Sequence, residues 1–139
     1  MKPLLAAFAA VLILMGFSTL ADDIDAVAQA QVAAKSWLAL TDGAKYGQSW
    51  DAAASLFKGA VTKADWEKAV RGVRSPLGAT KARKVKSATF TRSLPGAPDG
   101  EYVVIQFESQ FENKAAAIET VTPMRDKDGA WRVSGYFIK

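Results

Sequence analysis

The apolar residues of this chain change their spacing once, near Gly78. Before it they recur every three or four positions, and after it they alternate with polar ones. From Ile24 to Leu40, the residues Val27, Ala30, Ala34, Trp37 and Leu38 form one stripe, which predicts a helix ended by Thr41-Asp42-Gly43. A second helix is predicted from about Lys45 to Phe57, with Tyr46, Trp50, Ala53, Ala54 and Phe57 on one face. Thr62, with Asp65 three residues on, has the chemistry of an N-cap. The third helix that it opens turns Trp66, Ala69, Val70 and Val73 inward. Ser75 precedes Pro76 and is pushed out of helical geometry, so "RSPLG" is read as the stop.

Beyond Gly78 four strands are predicted. Lys81–Ser93 is β-branched and polar, with Val85 and Phe90 its larger apolar members, and "LPGAPDG" follows as a hairpin loop. Glu101–Asn113 alternates most cleanly: Val103, Ile105, Phe107 and Phe111 on one face, Tyr102, Gln106, Glu108 and Gln110 on the other. Ala115–Met124 is the third strand, "DKDG" a tight turn, and Trp131–Ile138 the last strand, with Trp131, Val133 and Phe137 sharing a face. Helices followed by hairpin-linked strands predict an α+β domain, its N-terminal helices packed on a four-stranded antiparallel sheet. No repeat or second domain interrupts residues 22–139.

Composition sharpens this picture by what it lacks. The chain of 139 residues has no cysteine and no histidine. Disulfides, thiol nucleophiles and Cys-ligated metals are therefore excluded, as are Ser-His and Cys-His arrangements. The net charge of +4 is mild and does not suggest a nucleic-acid binder. The opening residues, "MKPLLAAFAAVLILMGFSTLADD", combine one lysine, an apolar run from Leu4 to Phe17, and small residues at Thr19 and Ala21. That is the pattern of a signal peptide over residues 1–21, cleaved after Ala21. An uncleaved anchor is the competing reading, with an apolar run near the lower limit for a span. The cut site favours a periplasmic or secreted domain with no stable membrane anchor after cleavage.

The motifs "RSPLG", "PGAPDGEYVVIQF" and "WRVSGYFIK" resemble the bacterial exported family known as domain of unknown function 4019, over Ser36 to Lys139. The resemblance implies a cystatin-like architecture, also called nuclear-transport-factor-two-like, in which a curved sheet embraces helices. It implies no reaction, ligand, cofactor or catalytic residue.

Candidate chemistry is sparse. Arg74, Lys81, Arg83, Lys84, Lys86 and Arg92 crowd positive charge into one stretch, but a strand splits it between two faces. Lysines on an edge strand also guard against unwanted pairing. Arg83 is the exception, because it shares a face with Val85 and must there either snorkel or pair with a buried acid. On the polar face of the strands, Glu108, Glu119 and Arg132 are candidates for a charged cluster, with Tyr136 as a donor. "SLFK" matches Ser-x-x-Lys without its partner motifs, and "DKDG" begins like a calcium loop but lacks its later acids. Two functions follow. The first is a non-catalytic module binding an envelope protein or a small ligand, without cofactor or metal. The alternative is a carboxylate–tyrosine enzyme, which needs Glu108 or Glu119 to face a cavity between sheet and helices.

Overall fold

The computed structural model describes residues 20–139. The predicted leader lies outside the described residues, except for Leu20 and Ala21. Helix α1, Leu20–Asp42, buries Ala26, Ala30, Ala34, Trp37, Leu38 and Thr41 on the expected stripe. Among the described residues, no helix is long and apolar enough to cross a membrane.

The single helix expected over 45–57 is instead two short ones, α2 (Tyr46–Asp51) and α3 (Ser55–Ala60). The break has a tertiary cause. Ala54 is extended, and its N–H donates to the Val133 carbonyl at 2.8 Å. Ser55 donates its N–H and its hydroxyl to Asp126 Oδ2, at 3.0 and 3.1 Å. Bonds to the far end of the chain outcompete continuation of the helix. Helix α4 (Lys63–Leu77) opens as expected, with Thr62 Oγ1 accepting from the Asp65 N–H. It runs past Ser75 and through Pro76, because Asn113 caps its end. The Asn113 backbone N–H donates to the Leu77 carbonyl at 2.9 Å and its side chain to the Pro76 carbonyl at 3.0 Å. Gly78 then turns the chain at φ 73, where a Cβ would also lie 2.9 Å from that of Glu112. The buried stripe of α4 is Trp66, Val70 and Arg74, whereas Val73 is half exposed.

Strands β1 (Thr80–Thr91), β2 (Tyr102–Phe111), β3 (Lys114–Arg125) and β4 (Trp131–Ile138) form one antiparallel sheet in that order. This is the expected α+β arrangement. The core lies between the helices and the inner sheet face, where Val103, Ile105, Phe107, Val121 and Val133 meet α1 and α4. Trp37 sits at its centre, with ring centroids 5.1 Å from Tyr136 and 5.9 Å from Trp66.

Register shifts decide which side chains face inward. One falls between Thr122 and Pro123 of β3, opposite Gly135 and Val133, and leaves Ser134 of β4 as the extra residue. Trp131 and Val133 face the core as expected. Beyond the bulge the parity reverses: Tyr136 turns inward, and Phe137 is 53% exposed on the outer face.

Candidate functional site

The inner end of the sheet carries a polar cluster closed off by the helices. Six elements build it. Asp42 and Thr41 end α1, Arg74 lies on the buried stripe of α4, Thr80 and Arg83 belong to β1, and Ser109, Glu119 and Tyr136 come from β2, β3 and β4. Glu119 is fully buried. Its Oε1 accepts from Arg83 Nε at 2.7 Å and Ser109 Oγ at 2.5 Å, and its Oε2 from the Tyr136 hydroxyl. Asp42 receives the other side of the Arg83 guanidinium, in bonds of 2.7 and 2.9 Å, and Arg74 Nη2 at 2.8 Å. Arg74 also donates to Thr41 and Thr80, at 3.1 and 2.9 Å, and lies 4.9 Å over the Phe111 ring. Two arginines thus face two carboxylates, and the cluster balances its charge. Such a group is costly to break, because either half alone is an unpaired charge in a poorly solvated place.

The electrostatics follow from this packing. Burial alone would push the Asp42 carboxyl up, but the bonds from Arg83 and Arg74 outweigh it and hold that carboxyl below its ordinary range. Burial likewise opposes the charge of Arg83, and hydrogen bonds to Asp42 and Glu119 raise its pKa above the ordinary value instead. Burial, then the neighbouring Glu119 charge and the bond to it, push the Tyr136 phenol well above its usual value. Tyr136 is therefore a neutral donor at physiological pH, not a base or nucleophile.

Of the five residues singled out from sequence, the structure gathers Arg83, Glu119 and Tyr136 and separates the other two. Glu108 is on the outer face with Lys84, 3.1 Å away. Arg132 bonds Asp128 in a fork at 2.8 and 2.7 Å, and Asp126 at 3.2 Å. The expected Glu108–Glu119–Arg132 cluster does not form, because Glu119 points inward. Arg83 does pair with a buried acid. Ser55 bonds Asp126, and Lys58 the Asp51 carbonyl, so the Ser-x-x-Lys pair is not assembled. Asp126 and Asp128 of "DKDG" are engaged by Arg132 around a turn closed by the Gly129 N–H on the Asp126 carbonyl at 2.9 Å. Sequence reasoning missed Asp42 and Ser109, and read Arg74 only as a member of the basic stretch. Arg74 was legible as an arginine four residues beyond Val70 on the apolar stripe, and Ser109 as a serine between Phe107 and Phe111 on the core-facing parity.

Among the described residues, clefts open to solvent at three places in particular, and Glu119 lines none of these. One of about 530 Å³ crosses the outer face, over Ala82, Lys84, Glu108, Ile118 and Lys139, with Arg83 and Ser109 of the cluster also on its lining. A second, of about 720 Å³, lies between α3 and the turns at Pro98–Gly100 and Met124–Lys127. The third, of about 240 Å³, runs between α4 and β4 and is apolar: Trp66, Ala69, Val70 and Val73 on one wall, Tyr136, Phe137 and Ile138 on the other.

That third groove adjoins an open strand edge. Ile118 and Lys139 exchange both backbone bonds, at 3.0 and 2.9 Å. Alternation then makes Thr120–Phe137 and Thr122–Gly135 the other bonded pairs, and turns the N–H and C=O of Tyr136 and Ile138 away from the sheet. Nearer its start, β4 has its free edge covered where Ala54 bonds Val133.

The family model described as "Protein of unknown function (DUF4019)" matches residues 33–136. No curated protein and no solved structure matches the chain. The chain belongs to the DUF4019 family.

Proposed function

We propose that this family member is a non-catalytic binding module, and that its working surface is the open half of β4 with the groove beside it. One observation carries the reading. Val73 and Phe137, two large apolar side chains each about half exposed, flank the same groove, Val73 on its α4 wall and Phe137 on the outer side of its β4 wall, next to outward-facing backbone groups. Against the enzyme alternative stands the burial of Glu119: both its oxygens are engaged by Arg83, Ser109 and Tyr136, and it lines none of those three clefts. The clustered charges serve the fold on this reading, by tying α1 and α4 to the sheet. Export as a periplasmic domain of cystatin-like kind belongs to the same proposal and rests on the leader pattern and the motifs.

Photo-crosslinking in the native host tests it. A benzoyl-phenylalanine in place of Phe137 should capture a protein, and the same group in place of Lys84 should not. Equal capture at both positions, or none at 137, would refute the assignment of the surface.

A further inference from the structure

We infer that the occupant of the α4–β4 groove is a short extended segment of another protein, which adds to β4 as a fifth, antiparallel strand. It inserts two apolar side chains, spaced two residues apart, beneath the strand edge. The inference rests on the surface proposed above and specifies its partner.

The backbone sets the register. Tyr136 and Ile138 present their N–H and C=O outward, so an antiparallel strand makes its bonded pairs opposite these two residues. Directly opposed residues point to the same face, and Tyr136 and Ile138 line the groove. The two paired residues of the incoming segment therefore send their side chains against Val70, Val73 and Ala69. The residue between them lies outside, beside Phe137. An apolar–any–apolar triplet results, with main-chain bonds giving affinity and the groove giving selectivity.

Size decides against the other occupants. At about 240 Å³ the groove is below the roughly 300–1,000 Å³ of small-ligand pockets, yet it has room for side chains. A second copy of this chain would have to pair about Phe137 facing its own copy, using only Tyr136–Ile138 from each. Three residues span roughly 10 Å of strand. A stable interface engages about 20–30 residues and roughly 800 Å² on each side. Self-pairing along this edge falls far short of that area, and the copy's Tyr136 and Ile138 line its own groove and cannot fill this one, whereas a free short strand brings two side chains into it.

The test uses the chain from residue 22 to 139 and three fluorescein-labelled peptides, followed by anisotropy. The first is acetyl-Lys-Thr-Leu-Thr-Leu-Thr-Lys-amide. The second is its isomer with adjacent leucines, and the third carries N-methyl groups on both leucines. Saturable binding of the first is expected, with at least a tenfold loss for each of the others. Val73→Asp should weaken the first peptide at least tenfold while leaving the circular dichroism spectrum unchanged, since Val73 is half exposed. No binding of the first peptide, or equal binding of all three, would overturn the inference. Sedimentation showing a dimer that Val73→Asp dissolves would overturn it in favour of a second copy. If crosslinking at position 137 captures a protein while the first peptide fails to bind, only the strand-addition inference falls and the binding surface stands.

Discussion

The two edges of this sheet are treated in opposite ways. On β1 three exposed lysines, Lys81, Lys84 and Lys86, stand along the strand, and register shifts fall between Thr80 and Ala82 and between Val85 and Ser87. Charge and bulges are the two standard means of keeping a strand edge from pairing. Beyond its own bulge at Ser134, β4 has neither: Gly135-Tyr136-Phe137-Ile138 is uncharged and regular. A sheet with one edge guarded and the other left open at one apolar spot has a direction of association built into it. The two edges nevertheless share an anchor. Glu119 takes Arg83 from β1 and Tyr136 from β4, so a single carboxylate holds both outer strands against the helices.

Breaking that anchor from the β1 side should have the largest effect. Arg83→Ala leaves Glu119 and Asp42 without their shared cation, and stability in urea at pH 7 should fall by about 3–5 kcal/mol. A loss under 1 kcal/mol would mean that the cluster is solvated and does not hold the edge strands. From the β4 side, Tyr136→Phe removes one neutral donor and should cost about 1.5–3 kcal/mol. It should also change the alkaline limb of the stability profile. The raised phenol pKa contributes stability that is fully present below about pH 10 and is lost as pH climbs through the folded-state value. Melting temperatures of the wild type should therefore decline above pH 10 more steeply than those of Tyr136→Phe, and parallel profiles would contradict that. The smallest effect on folding, and the sharpest on the contrast itself, should come from K81T/K84T/K86T. Its unfolding midpoint should stay close to that of the wild type, while light scattering on storage rises as β1 becomes a second open edge. A triple variant that stays monomeric would show that the bulges alone protect β1.

Much of the fold was legible in the sequence because each element announces itself locally. The stripe on α1, the Thr62 cap, the alternation of β2 and the span of β4 needed no distant information. What was not legible depends on partners far along the chain. The break at Ala54 needs Val133 and Asp126, and the extension of α4 through Pro76 needs Asn113. The candidate site suffered in the same way. Around Glu119 the alternation is ambiguous, since Ile118 on one side and Val121 beyond it are both apolar, so periodicity alone assigned it to the wet face. One bulge residue then exchanged the roles of Tyr136 and Phe137, hiding a core donor and exposing an aromatic ring. Arg83 could be read correctly because its neighbour Val85 fixed its face without a register shift between them.

The bond from Ser55 to Asp126 has a consequence for the order of events in folding. It joins residues 71 positions apart, and the six-residue helix that it caps is too short to persist alone. During synthesis, α3 can settle only after the β3–β4 hairpin has been made, and the closing bond from Ala54 waits for Val133. The domain therefore completes itself only once its last strand is released. A ribosome-bound chain stopped before Trp131 should remain open to protease between α2 and α4.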